Sequence, residues 1–155
     1  MNKYFALFCF FLVVIITSSA SYFLGGDIAI YYSELVRPSF SPAPPVFSIV
    51  WPILYALIAL SGFYAWKEAK DRKHLKASLF IFAINLILNA LWTPLFFNLK
   101  LPLLAFIEIV ILWAIIVVNI VYFYKDSKKA ALLMVPYLIW VSFAAVLNYA
   151  INLLN

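Results

Sequence analysis

Charge is what this chain has least of. Asp, Glu, Lys and Arg make up 11% of its 155 residues, against about a quarter in a soluble domain. That leaves too little polar surface to cover a water-soluble globule. The single cysteine, Cys9, lies in an apolar run, which excludes an intrachain disulfide, a zinc knuckle and CxxC chemistry. The one histidine, His74, sits among Lys and Arg in a polar loop without a second His or Cys, and reads as solvent-facing rather than as a metal or haem ligand. No GxGxxG, Walker loop, HExxH or nucleophile elbow occurs, so nucleotide-driven and hydrolytic chemistry has no visible machinery. The net charge of +5 is spread over short clusters with no separate basic domain, so no nucleic-acid partner is expected.

What the chain does have is apolar length. Hydrophobic residues reach 68% and the mean hydropathy is +1.07. Apolar runs long enough to cross about 30 Å of hydrocarbon lie near 4–24, 46–66, 77–97, 102–124 and 131–153. The runs are continuous, whereas a membrane barrel needs many alternating segments of about ten residues. The fold predicted is an all-α integral membrane bundle of five helices. The first run, with Lys3 ahead of it and Thr17, Ser18, Ser19, Ala20 and Ser21 near its end, has the flavour of a signal peptide. Apolar residues from Tyr4 to Ile16, continued by Tyr22, Phe23 and Leu24, suffice for a full span, so an uncleaved helix is predicted.

Lys3, Lys67, Lys70, Arg72, Lys73, Lys76, Lys125, Lys128 and Lys129 fall on one side of such a bundle, and only Arg37 and Lys100 on the other. The positive-inside rule then places the N-terminus in the cytoplasm and the C-terminus outside, in a membrane of the bacterial inner type. The 25–45 connection becomes external. Pro38, Pro42, Pro44 and Pro45 favour a rigid, extended or turn-rich segment there, either a lid over a site or a plain interfacial link.

Polar and aromatic residues repeat at helical spacing inside three spans. Asn85, Asn89, Trp92 and Phe96 share one face, and Tyr137, Trp140, Ala144, Asn148 and Ile151 another. Trp51, Tyr55, Ile58, Gly62 and Trp66 form a third, with Trp66 beside Lys67 read as an interfacial belt residue. Amides are costly in hydrocarbon, so these faces point inward, as interhelical glue or as the lining of an apolar cavity with a few polar anchors. Glu108, the one acidic residue within a span, is a functional candidate or a snorkelling or subunit-contact group. Trp113 fits pocket, packing or dimer face equally, and Val118, Tyr122 and Lys125 match a loose cholesterol pattern of little specificity.

These residues resemble the TspO/MBR family of tryptophan-rich sensory and translocator proteins. The resemblance covers nearly the whole chain: Tyr32, Leu35, Arg37, Pro38, Phe40 and Pro42 in the connection, VWPILY at Val50 to Tyr55, NALWTPLFF at Asn89 to Phe97, PYLIW at Pro136 to Trp140, and FAAVLN at Phe143 to Asn148. It implies a five-helix bundle, a homodimer, and a hydrophobic ligand held beneath the first connection. It also implies that Trp51, Tyr55, Asn85, Asn89, Trp92, Trp140, Ala144 and Asn148 line or shape the ligand site, with Tyr32, Pro38 and Pro42 in its cover. Asn85 stands where the family often has Gln, Tyr31 and Phe40 where it often has Trp, and Ile58-Ala59 where Met-Gly is common.

The function the resemblance implies is a membrane receptor or sensor binding porphyrins and other flat hydrophobic molecules, with surrounding membrane lipid and no required cofactor. An alternative makes porphyrin the substrate of a light- and oxygen-dependent breakdown, with Trp51 and Trp140 as the reacting side chains. Transport and a partner-only regulatory role are further alternatives. The C-terminal cholesterol motif of animal members is absent, since no Lys or Arg follows Tyr149, so sterol import is not implied.

Overall fold

A computed structural model describes residues 2–155. The order is α1 (Lys3–Leu24), α2 (Ile28–Glu34), α3 (Pro44–Glu68), α4 (Arg72–Thr93) running on through a π-helical turn (Pro94–Asn98), α5 (Pro102–Asp126) and α6 (Lys128–Leu154). Five of these helices, all but α2, are long and apolar enough to span a membrane. No strand occurs among the described residues. The all-α five-helix membrane bundle predicted from the sequence is the fold observed.

Four of the helix starts have a local cause. Pro44 and Pro45 open α3 and Pro102 opens α5, where a missing N–H costs no helical bond. The Asp71 carboxylate accepts from the backbone N–H groups of Lys73 and His74, and Ser127 Oγ accepts from that of Ala130. These caps carry α4 and α6 beyond their apolar runs into the polar interface. Pro94 begins the wider π turn, which closes with Leu99 N–H on the Pro94 carbonyl.

The spanning helices form a closed ring. α1 packs on α3 and α4, α3 on α6, α6 on α5, and α5 on α4. α1 is the peripheral member, with 11% of its span buried against 28–33% for the others. At the end carrying the Lys and Arg clusters, the basic end, Ser61 Oγ donates to the Ala130 carbonyl at 2.9 Å and Ser127 Oγ to Glu68 at 2.6 Å. Phe123, Ile116, Met134 and Tyr137 fill the space between. A second cluster of Leu35, Phe96, Ala105, Leu147 and Ile151 lies at the opposite, covered end.

The connection from 25 to 45 is extended and turn-rich, as its prolines suggest, only in its second part. Its first part is the seven-residue α2, because every proline lies after that helix and none interrupts it. The remainder is extended from Leu35 and turns at Pro38, whose carbonyl accepts from Ser41 N–H at 3.0 Å.

Candidate functional site

Under α2 the ring holds a partly open cavity of about 800 Å³. α3 contributes Phe47, Ser48, Trp51 and Tyr55; α4 and its π turn contribute Asn89, Trp92, Thr93, Phe96 and Phe97; α6 contributes Trp140, Val141, Ala144, Leu147, Asn148 and Ile151. The cover supplies Gly26 to Ile30 and Tyr32, α1 supplies Ser18, Ser21 and Tyr22, and α5 supplies Ile109 and Leu112. Three tryptophans from three helices thus face one space. Helical spacing sets them on inward faces, and closure of the ring brings the faces together.

Two amides anchor the lining. Trp92 Nε1 donates to Asn148 Oδ1 at 3.1 Å, and Asn148 Nδ2 donates to the Pro102 carbonyl at 2.9 Å, at the start of α5. Tyr55 OH donates to Asn89 Oδ1 at 3.1 Å, and Asn89 Nδ2 donates to Tyr137 OH at 3.0 Å. An amide has two N–H groups and two oxygen lone pairs, so each of these asparagines keeps one N–H and one lone pair unengaged. Trp51 is stacked on Tyr55 with ring centroids 5.3 Å apart, and Trp140 lies edge-on to Phe47 at 5.8 Å. Among the described residues neither the Trp51 nor the Trp140 indole N–H donates a hydrogen bond, unlike those of Trp92 and Trp113.

The lining of the cavity is mainly apolar and aromatic. Asp27, at the cover, is its one acidic lining residue, and no Lys or Arg lines it. The Arg37 guanidinium lies outside, 4.8 Å from the centroid of the Tyr32 ring that forms part of the cover.

A profile of the TspO/MBR family matches residues 5–154. The chain belongs to the TspO/MBR family. It is similar to the tryptophan-rich protein TspO of Chlorobaculum tepidum, 36% identical over 95% of this chain and 93% of that protein. The tryptophan-rich sensory protein of Cereibacter sphaeroides is 32% identical over 81% of this chain and 77% of its own length. The translocator protein of Sus scrofa is 32% identical over 78% of this chain and 72% of its own. Five apolar helices and these relatives make this TspO/MBR chain a multi-pass integral membrane protein.

Of the eleven residues that the family resemblance implies for the site and its cover, eight line the cavity: Tyr32, Trp51, Tyr55, Asn89, Trp92, Trp140, Ala144 and Asn148. Three do not. Asn85 is one turn earlier in α4, fully buried, with Oδ1 taken by Tyr137 OH at 3.1 Å and Nδ2 directed at Asn119 Oδ1 at 3.4 Å. It supports Asn89 from beneath and has no face on the cavity. Pro38 and Pro42 frame the turn that presents Ser41 Oγ to Tyr32 OH at 3.0 Å, so they shape the cover without lining the space.

Ser18 and Ser21 on α1 and Ile109 and Leu112 on α5 were not singled out. The serines are three residues apart in an apolar span, which was a readable signal, but the same residues also resemble the small-residue end of a signal peptide. Nothing in the sequence of α5 marks which of its leucines and isoleucines meets a cavity.

Glu108 is buried outside the lining, and neither carboxylate oxygen has a hydrogen-bond partner. Trp113 belongs to none of the lining; its Nε1 donates to Ser142 Oγ at 2.8 Å and clasps α5 to α6. His74 departs from the solvent-facing expectation: its ring stacks on Tyr122 at 5.2 Å, and Nε2 lies 3.2 Å from the Tyr122 carbonyl and 3.9 Å from Asp126 Oδ1. The α4 cap at Asp71 starts the helix early enough to turn this residue toward α5.

Proposed function

We propose that this chain is a receptor or sensor-like membrane protein whose intrabundle cavity binds a porphyrin or another flat hydrophobic ligand. One observation carries the reading: Trp51, Trp92 and Trp140 meet Asn89 and Asn148 around a space of about 800 Å³, within the size and make-up of organic-ligand sites. Indole and phenol rings stack on a macrocycle. The spare amide groups and the Trp51 and Trp140 N–H groups supply directed polar contacts. Arg37, beside Tyr32 at the cover, offers the cation that a propionate at the rim would seek. The names of the relatives, tryptophan-rich sensory protein and translocator protein, speak of sensing and translocation. With the Lys and Arg clusters in the cytoplasm, the cover faces outward in a bacterial-type membrane, and the resemblance implies a homodimer.

The test is a protoporphyrin titration of the purified protein in the dark. Saturable binding that weakens in Trp51→Phe and Trp140→Phe supports the reading. Partitioning no greater than into empty micelles refutes it.

A second reading, light- and oxygen-dependent porphyrin breakdown, is favoured by the Trp51–Tyr55 stack, an electron-rich pair on the cavity wall. Under illumination it requires a discrete product that Trp51→Phe abolishes; identical breakdown by free porphyrin in micelles removes it.

A further inference from the structure

We propose that ligands reach the cavity sideways from the hydrocarbon layer, through the seam between α1 and α3. This rests on the reading of the cavity as a ligand site. An apolar groove of about 390 Å³ runs along that seam, with Val14 and Ile15 on the α1 side and Pro52 and Ala56 on the α3 side. Ser18, Phe47, Ser48, Trp51 and Tyr55 border both groove and cavity. A single layer of side chains therefore separates bilayer from binding space, and the Trp51–Tyr55 stack is its largest part.

The seam opens for identifiable reasons. Toward the basic end Gly62 lets α1 sit close, since a Cβ there would lie 2.7 Å from the Phe10 ring. Toward the covered end α1 is fastened to α4 instead: Ser21 Oγ donates to Thr93 Oγ1 at 2.8 Å, and Asn98 Nδ2 donates to the Leu24 carbonyl at 3.0 Å. Among the described residues no side-chain hydrogen bond joins α1 to α3 there. The two helices therefore approach closely at one end and have no side-chain hydrogen bond between them at the other. Pro52 adds a polar foothold, because it has no N–H for the Ser48 carbonyl, and Ser48 stands where groove and cavity meet.

The cover, by contrast, is pinned. The Asn155 side chain accepts from Val36 N–H and donates to the Val36 carbonyl, both at 3.0 Å. Tyr32 is bonded to Ser41, and Lys100 lies 3.7 Å from Glu34. A route through the cover breaks these contacts, whereas the seam has no side-chain hydrogen bond to break. The molecules suited to it are lipophiles already dissolved in the membrane, and in their absence a phospholipid acyl chain occupies the groove.

The experiment uses nanodiscs of phosphatidylcholine and two variants that fill the groove without touching the cavity, Ala56→Phe and, from the opposite helix, Ile15→Phe. Their unfolding midpoints are checked against the wild type. Protoporphyrin association and dissociation should both slow about tenfold in these variants with Kd nearly unchanged, while Asn155→Ala leaves both rates as they were. Faster exchange in Asn155→Ala with no effect of groove filling overturns the proposal. A second arm needs no porphyrin: phosphatidylcholine with a diazirine on its acyl chain should label Trp51 or Tyr55 in the wild type and lose that labelling in Ala56→Phe. Labelling confined to the outward Ile49 and Ile53 overturns the proposal. Absence of saturable porphyrin binding counts against the ligand reading alone, and the lipid labelling then decides the seam.

Discussion

The two ends of the bundle do opposite things. At the basic end the helices close on one another through short polar links, Ser61 to Ala130 and Ser127 to Glu68, and through fully buried Phe123, Met134 and Tyr137. At the covered end the ring holds about 800 Å³ open. Between them runs one chain of hydrogen bonds, from Tyr55 to Asn89, Tyr137, Asn85 and Asn119 and on to the Ser78 carbonyl. In hydrocarbon there is no hydrophobic force to press helices together, so packing shape and interhelical hydrogen bonds decide where they close. Small residues and hydroxyls close the basic end. Indole and phenol rings that stack on neighbours in their own or adjoining segments, as Trp51 does on Tyr55 and Trp92 on Phe96, hold the other end apart.

The sharpest way to break this contrast is at Gly62. Leucine there has to displace the Phe10 ring and meets Phe82, whose ring atom would lie 3.1 Å from the new Cβ. A loss of about 2–3 kcal/mol is expected in reversible unfolding in mixed micelles, the usual scale of overpacking. Tyr137→Phe comes next. It removes the hydroxyl that Asn89 and Asn85 share, leaving two buried amide groups each short of a partner, and should cost about 1–2 kcal/mol by the same measurement.

Ala144→Phe tests the other end. It fills the cavity without disturbing the hydrogen-bonded chain, so porphyrin affinity should fall at least about tenfold, or roughly 1.4 kcal/mol, while the unfolding midpoint holds. Equal losses in affinity and stability would mean that the cavity wall is also a structural joint. The smallest effect is expected from Asn155→Ala, which frees the cover at Val36. Hydrogen exchange should quicken in the 26–43 segment, and global stability should change by only about 0.5 kcal/mol.

Much of the site was legible in advance because a membrane span imposes two strict rules. Its length must match the hydrocarbon, and its amides must turn away from lipid. Those rules pick out Asn89, Asn148 and the tryptophans beside them. The same rules cannot separate Asn89, which borders the cavity, from Asn85, which lies one turn deeper with both amide atoms engaged. A helical face states a direction, and depth depends on what the neighbouring helix places opposite.

The sequence by itself determined five spans and their polar faces, because hydropathy and the period of the helix are properties of each segment alone. The tertiary structure alone decided the order around the ring, the helix within the cover, the serines that α1 brings to the cavity, and the groove along the seam of α1 and α3. Each of these depends on how residues far apart in the chain meet, as Ser21 meets Thr93, Gly62 meets Phe10 and Val36 meets Asn155, and no single segment encodes such a meeting.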